Sequence, residues 1–191
     1  MSLFTSDWHL NHRLILEKLN LTSEQYEDLI FTNIREKAKP GEILYNLGDL
    51  GNITQLDLER ILNTLGKMKL SMQIIIGNHD KIKSYKHPVL QGFFYYKTIR
   101  VGKQHIFLSH YPQLTWDKSH YSCWGLHGHI HKDDHTYNKM KELGWENSPF
   151  SGKQLNVNVD QHEFKPLTFD EVKSLMDNKK RNFDFIRTNN G

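Results

Sequence analysis

Residues 72–80 have the sequence Met-Gln-Ile-Ile-Ile-Gly-Asn-His-Asp, in which a short apolar run ends in a polar cluster. The run from Met72 to Ile76 has the length of a buried strand and is too short for a typical helix. The glycine and asparagine that come next favour a turn. The stretch therefore predicts a buried strand whose carboxyl end carries the side chains of Asn78, His79 and Asp80.

Two earlier stretches have the same arrangement. An apolar strand is predicted at Leu3–Ser6 and is followed by Asp7 and His9, and a second at Ile43–Leu47 precedes Asp49. Helical spacing and capping residues predict three helices, at residues 11–19, 22–39 and 54–65. The order strand, helix, strand, helix, strand indicates crossover units and a largely parallel sheet.

The second half of the chain is predicted to contain strands with short connections, at residues 93–100, 104–109, 123–128 and 155–159. His110 follows the second of these strands, and His129 and His131 follow the third. Residues 132–152 are polar and interrupted by Gly and Pro, which predicts a loop over the site. A capping-box pattern predicts a last helix over residues 168–176.

Seven potential metal ligands are expected to converge, because ligands bind at the carboxyl ends of strands in an open α/β sheet. They are two carboxylates, one amide and four imidazoles: Asp7, Asp49, Asn78, His9, His110, His129 and His131. Seven donors are too many for one ion and suit two, and mixed oxygen and imidazole ligands favour manganese, iron, zinc or cobalt over calcium. Each motif alone also occurs in ordinary turns and strands, so the prediction depends on their joint occurrence.

Composition restricts the class of protein further. The chain has 191 residues, with 37% hydrophobic and 25% charged, which is typical of one globular domain, and its net charge of +3 does not by itself indicate nucleic-acid binding. Cys123 is the only cysteine, which excludes an internal disulfide and fits a reducing compartment. No apolar run is long enough to span a membrane, and the first residues lack an export-signal pattern. We expect a cytoplasmic protein without membrane association.

Taken in order, the motifs resemble those of the calcineurin-like metallophosphoesterase superfamily: Asp7-x-His9, Gly48-Asp49, Gly77-Asn78-His79-Asp80, His110 and Gly128-His129-x-His131. Residues 6–9, 108–112 and 156–160 are further similar to small single-domain members from bacteria and phages. The resemblance implies an α/β (α+β) fold, a four-layer αββα sandwich with two mixed sheets and a dimetal site at the carboxyl ends of strands. The domain is expected to span residues 1–178, with residues 179–191 as a loosely ordered basic tail.

The resemblance also implies roles for the site residues. One metal would be held by Asp7, His9 and His131, and the other by Asn78, His110 and His129, with Asp49 bridging the two. His79 is expected to be catalytic and to face the substrate, and Asp80 to assist by orienting the local backbone or His79. Two divalent ions are expected, with manganese favoured and iron, zinc, cobalt, nickel or magnesium as alternatives.

The activity that the resemblance implies is hydrolysis of phosphodiesters or phosphomonoesters by a hydroxide that bridges two metal ions. A phosphodiester is the favoured substrate, as a small phosphate ester such as a nucleotide, and the protein would be a monomer or a homodimer. One alternative is a nuclease that acts on DNA or RNA. Another is a catalytically inactive metal-binding scaffold, against which the complete set of ligand positions argues.

The chain departs from the family pattern shortly after Asp49. Many members have Asp and then Arg where this sequence has Asn52 and Ile53. Asn52 is therefore a candidate substrate contact in place of the acidic residue. His12 and Arg13, at the start of the first predicted helix, are candidates for the missing contact to phosphate.

Overall fold

The computed structural model describes residues 2–132, 135–142, 144 and 152–186, and within these ranges nine strands form two mixed sheets. The first sheet has the order β4-β3-β2-β1-β9 and is made of Leu90–Phe94, Ser71–Ile75, Ile43–Asn46, Ser2–Thr5 and Leu167–Thr168. The second has the order β5-β6-β7-β8 and is made of Tyr96–Val101, Gln104–Ser109, Trp124–His127 and Gln154–Asn156. Strands β1 to β4 are parallel, as are β6 to β8, while β9 and β5 are antiparallel to their neighbours.

Five α-helices accompany the sheets in the described ranges: α1 Arg13–Leu19, α2 Ser23–Lys37, α3 Gln55–Lys67, α4 His135–Glu142 and α5 Phe169–Asp177. Three of them, α2, α3 and α5, begin with a complete capping box, in which a threonine side chain and the third helical residue satisfy each other's backbone N–H groups. These starts lie within two residues of the predicted ones because capping is a local interaction. No helix in the described part of the chain is both long enough and apolar enough to cross a membrane.

Successive side chains along the strands of the first sheet belong to two different hydrophobic cores. Leu3 and Leu44 pack in a core with α2 and α3, whereas their neighbours Phe4 and Tyr45 pack between the two sheets. This follows because successive side chains of a strand point to opposite faces. The inter-sheet core also contains residues of β3, β6, β7 and α5. The predicted fold class, an α/β sandwich with two mixed sheets, is confirmed.

The outer face of the second sheet carries a smaller cluster of Phe107, Trp116 and Cys123. The segment between β6 and β7, with a short 3₁₀ helix at Ser119–Tyr121, contributes two of these residues. Cys123 is buried, with a pKa raised to about 11 by burial, which agrees with its prediction as a small core residue.

Three predicted elements differ from the structure. The predicted strand over residues 155–159 is shorter, because β8 is Gln154–Asn156 and Val159 begins a short 3₁₀ helix. The predicted strand over residues 93–100 is two strands, since β4 pairs in the first sheet and β5 in the second, with Tyr95 between them. A continuous run of apolar residues does not reveal where a chain leaves one sheet for another. The predicted loop over residues 132–152 contains α4, while residues 133–134, 143 and 145–151 lie outside the described part.

The C-terminal segment was predicted to be loosely ordered from residue 179, but its described part is attached to the second sheet. The Asn182 side chain donates from Nδ2 to the carbonyl oxygens of Ser119 and Cys123 at 2.8 and 2.9 Å. Its Oδ1 accepts from the backbone N of Lys153 at 2.7 Å. Asn182 is 5% exposed, so these bonds satisfy buried backbone groups. Residues 187–191 lie outside the described residues.

Candidate metal centre

All seven predicted ligands follow the carboxyl ends of five strands, β1, β2, β3, β6 and β7. The loops after β1 and β2 run side by side, because the backbone N of Asp7 donates to the carbonyl of Gly48 at 2.8 Å and that of His9 to Asp49 at 3.0 Å. The loop after β7 joins them through the backbone N of His129, which lies 3.0 Å from Asp7 Oδ2. Hydrogen bonds between loops therefore fix the ligands relative to one another.

Four of the seven residues have a left-handed backbone conformation. Asp7, His9, Asp49 and His129 have φ angles of 55°, 46°, 56° and 69°. Non-glycine residues adopt this region at a cost, although Asp and His tolerate it better than most, and such residues cluster at functional sites. The surrounding hydrogen bonds maintain a conformation that aims these side chains at one point.

Two groups of side chains in the described part of the chain are close enough to hold a metal ion. One is Asp7, His9 and His131, the other is Asp7, Asp49 and His110, and the candidate ligand atoms in each lie within 4.8 Å of one another. Asp49 Oδ2 lies 3.7 Å from His9 Nε2 and 3.4 Å from His110 Nε2. The Asp49 carboxylate therefore stands between an imidazole of the first group and an imidazole of the second.

The amide of Asn78 extends the second group. Its Oδ1 lies 2.9 Å from His110 Nε2 and 3.1 Å from His129 Nδ1. Asn78 is exposed, whereas His110 is 1% exposed, so this group reaches from the buried floor of the site to the solvent.

The contacts of His110 fit a bound cation. His110 Nδ1 lies 2.8 Å from the carbonyl oxygen of Leu47, which fixes a proton on Nδ1. Neutral His110 would then present its Nε2 lone pair to two further acceptors, Asn78 Oδ1 and Asp49 Oδ2. Burial lowers the pKa of His110, but the nearby carboxylates of Asp49 and Asp7 outweigh burial and leave it raised. A proton or a metal ion is required between these acceptors.

Burial and neighbouring groups shift the pKa values of His9, Asp7 and Asp49. Burial, reinforced by His131, lowers the pKa of His9 to about 4, so its ring is neutral at pH 7, and its buried Nδ1 has no hydrogen-bond partner among the described residues. Burial raises the pKa of Asp7 to about 6. Burial would also raise the pKa of Asp49, but His110 and the backbone N–H of His79 outweigh it and hold the pKa below its usual range.

Glycines at the site leave room for the carboxylates. A Cβ on Gly77 would overlap Asp49 Oδ1, and one on Gly128 would overlap Asp7 Oδ2. Neither position could accept a larger residue without moving a candidate ligand. The sequence motifs Gly-Asn-His-Asp and Gly-His-x-His thus include a steric requirement.

His79 and Asp80 occupy opposite sides of the same loop. The backbone N of His79 donates to Asp49 Oδ1 at 2.8 Å, and its exposed ring lies 5.4 Å from the ring of His9. Asp80 is 7% exposed and accepts hydrogen bonds from three backbone N–H groups, of Gly77, Asp49 and Leu50, at 2.8–2.9 Å. Asp80 therefore orients the local backbone and does not face the solvent.

The three predicted substrate contacts, His12, Arg13 and Asn52, differ in their surroundings. The His12 ring lies 5.5 Å from that of His9, at the edge of the site. The Arg13 side chain is 83% exposed, lies 3.6 Å from Glu17 and lines a separate cleft of about 460 Å³ along α1. Asn52 Oδ1 accepts from Lys81 Nζ at 3.0 Å.

Two residues near the site were not predicted. Lys81 carries a positive charge two positions beyond His79 and is held by Asn52. Asp160 Oδ2 lies 2.8 Å from His131 Nδ1. The similarity of residues 156–160 to family members was a signal for Asp160, but the sequence does not show which ligand a residue 29 positions away contacts.

The chain is similar to proteins of undetermined function. It is 24% identical over 178 residues to the uncharacterized protein MJ1445 of Methanocaldococcus jannaschii, covering 92% of this chain and 90% of that protein. The crystal structure of AQ665 from Aquifex aeolicus, a protein of unknown function, aligns with a TM-score of 0.67 at 24% identity, covering 92% of this chain and 98% of that one. This likeness establishes a shared fold.

Two further comparisons concern protein-family models and a solved nuclease structure. No protein-family model matches the chain. The structure of the Pseudomonas putida nuclease MPE aligns at 20% identity over 68% of this chain and 61% of its own, with a TM-score of 0.45. Two mixed sheets, with the candidate ligands after the carboxyl ends of strands, are the architecture that the sequence analysis predicts, so the predicted fold is confirmed.

Proposed function

We propose that this chain, which has the sandwich fold of the calcineurin-like metallophosphoesterases, is a phosphohydrolase that uses two divalent metal ions. The observation that carries the proposal is the position of Asp49, whose Oδ2 lies 3.7 Å from His9 Nε2 and 3.4 Å from His110 Nε2. A carboxylate between two groups of ligands can bridge two cations. A purely structural ion pair does not require seven ligand-type side chains from five loops.

In this proposal, one ion is held by Asp7, His9 and His131 and the second by Asn78, His110 and His129, with Asp49 shared. Mixed carboxylate, amide and imidazole donors suit several divalent ions, of which we favour manganese, with iron, zinc, cobalt, nickel and magnesium as alternatives. When bound, the ions would lower the pKa of a water molecule and neutralise charge on the phosphate oxygens.

The side chains of the protein supply the remaining steps. His79 is exposed beside His9, with its backbone fixed on Asp49, so its imidazolium can donate a proton to the leaving oxygen or to a non-bridging oxygen of the substrate. Asp80 keeps the loops that carry Asp49 and Asn78 together through its three backbone hydrogen bonds. Lys81, held by Asn52, provides a cation near the site for the charged substrate.

We favour phosphodiesters over phosphomonoesters, as small esters such as nucleotides. The exposed positions of Asn78 and His79 support this, because an open site accommodates a second ester group. Cys123 is free and buried, which suits a reducing compartment, and we place the enzyme in the cytoplasm.

The test is hydrolysis of an aryl phosphodiester and an aryl phosphomonoester by the full chain, with and without Mn²⁺. We expect metal-dependent turnover that falls at least about 100-fold in Asp49→Asn, because a shared ligand is lost. His79→Asn should bind the same amount of metal and lose about 10²–10⁴-fold in kcat.

Asp177→Asn, in an exposed ion pair with Lys173, is the matched control and should match the wild type. Wild-type turnover equal to that of Asp49→Asn on every ester, or a purified protein that binds no divalent metal, would contradict the proposal.

A further inference from the structure

His131 is the most exposed of the three imidazoles that face the carboxylates of Asp7 and Asp49. Its side chain is 30% exposed, compared with 5% for His9 and 1% for His110. Packing fixes the orientation of a buried ring, but it restrains a ring at the rim of the site much less. A specific contact is therefore needed to hold His131 in position for a metal ion.

Asp160 provides that contact. Its Oδ2 lies 2.8 Å from His131 Nδ1, while His131 Nε2, on the other side of the ring, lies 3.7 Å from Asp7 Oδ1 and 3.1 Å from His9 Nε2. A carboxylate only accepts hydrogen bonds, so the contact places the His131 proton on Nδ1. The Nε2 lone pair is then directed at Asp7 and His9.

A competing contact is weaker. The Nδ2 of Asn158 lies 3.2 Å from the same His131 Nδ1, and as a donor it would require the opposite tautomer. The Asp160 contact is 0.4 Å shorter and involves a charged acceptor, which roughly doubles the strength of a hydrogen bond. The Asp160 contact therefore decides the tautomer.

The loop that carries Asp160 is itself attached to the segment that carries His131. The carbonyl oxygen of Ile130 accepts from Asn156 Nδ2 at 2.7 Å and from Gln161 Nε2 at 2.8 Å. Asp160 Oδ2 also accepts from the backbone N of Lys132 at 3.1 Å. These bonds lie on both sides of His131, so the carboxylate has a fixed position relative to the ring.

We propose that Asp160 is a positioning residue that orients His131 and fixes its tautomer for the metal position formed by Asp7, His9 and His131. The inference rests on the proposed dinuclear centre, in which three of the four imidazoles differ in the contact made by Nδ1. His131 Nδ1 contacts a carboxylate and His110 Nδ1 the carbonyl oxygen of Leu47, whereas His9 Nδ1 has no hydrogen-bond partner in the part of the chain that the structure describes. The two metal positions should therefore respond differently to loss of Asp160.

The experiment is a Mn²⁺ titration followed by electron paramagnetic resonance, with Asp160→Ala, Asp160→Asn and the wild type. Removing an outer carboxylate typically weakens metal binding 10–100-fold, so we expect that loss at one of two positions in Asp160→Ala. Asp160→Asn should lose less, because an amide oxygen can still accept from His131 Nδ1. The affected position is identified by comparison with His131→Ala and His129→Ala, which alter opposite positions.

A second measurement separates orientation from general structural damage. Nitrogen-15 NMR of the metal-free protein should show the Nδ1–H tautomer of His131 in the wild type and its loss in Asp160→Ala, with unchanged circular dichroism. Glu163→Gln is the matched control, since its side chain is 85% exposed and paired with Lys165.

The outcomes distinguish this inference from the proposed function. A wild type that binds no Mn²⁺ would remove the dinuclear centre and the inference together. A wild type with two bound ions, combined with an Asp160→Ala variant that is folded and binds both with wild-type affinity, would overturn the inference alone. Equal weakening at both positions would also overturn it.

Discussion

Replacing Asp7 with Asn should stabilise the metal-free protein at pH 8, although it removes a proposed metal ligand. Asp7 is 1% exposed, and burial raises its pKa from 3.8 to about 6, with Asp49 adding to the shift and Ser6, His110 and His131 opposing it. Asparagine has nearly the same shape and keeps an acceptor for the backbone N of His129, which lies 3.0 Å from Asp7 Oδ2. The substitution therefore removes the buried charge and little else.

The magnitude follows from the difference between the two pKa values. At 1.36 kcal/mol per unit, a rise from 3.8 to about 6 corresponds to about 3 kcal/mol. Because the pKa of Asp7 is raised in the folded state, its contribution to stability is fully present below pH 3.8 and is lost as the pH rises through about 6. At pH 8 the ionised carboxylate destabilises the metal-free fold by the whole amount.

The assay is urea unfolding of wild type and Asp7→Asn in EDTA, followed by circular dichroism at pH 4 and pH 8. Other groups titrate in both proteins, so the informative quantity is the difference between their free energies of unfolding. That difference should grow in favour of the variant by about 2–3 kcal/mol between the two pH values, because part of the change occurs below pH 4. With saturating Mn²⁺ the order should reverse, since bound metal stabilises the wild type.

Asp177→Asn is the control, because Asp177 is exposed and its loss should change the free energy of unfolding by less than about 0.5 kcal/mol at either pH. An equal difference between Asp7→Asn and wild type at both pH values would contradict this prediction. So would a variant that is less stable than the wild type at pH 8 without metal. Either result would mean that Asp7 is ionised in the metal-free fold without a desolvation penalty.

Two further predictions concern steric and hydrogen-bonding requirements. Gly77→Ala should weaken Mn²⁺ binding and lower the free energy of unfolding by about 1–3 kcal/mol, because its Cβ would overlap Asp49 Oδ1. Both changes are measured by calorimetry with Gly66→Ala in α3 as the control. Its free energy of unfolding should stay within about 1 kcal/mol of the wild-type value. Asn182→Ala should cost about 1–3 kcal/mol in urea unfolding, because the backbone N of Lys153 loses its partner and the carbonyl oxygens of Ser119 and Cys123 each lose one of two donors. Its kcat per folded molecule should not change, and a fall in kcat would show that the C-terminal segment acts on the site.

Much of the fold could be predicted from local patterns. Capping residues placed the starts of α2, α3 and α5 within two residues, and apolar runs ending in polar clusters located β1, β2 and β3. The change of sheet at Tyr95 could not be predicted, because a continuous run of aromatic residues does not reveal where a chain leaves one sheet for another. The attachment of the C-terminal segment through Asn182 could not be predicted either, since the partners of Asn182 lie 29 to 63 residues away.

The sequence by itself determined which side chains could bind metal, because ligand chemistry depends on residue type and position after a strand. Only the tertiary structure decided how those side chains meet. It placed Asp49 between His9 and His110, turned Asp80 toward the backbone and brought Asp160 to His131. The physical reason is that helix caps and strand alternation depend on neighbouring residues, whereas these contacts depend on how loops from two separate sheets pack against each other.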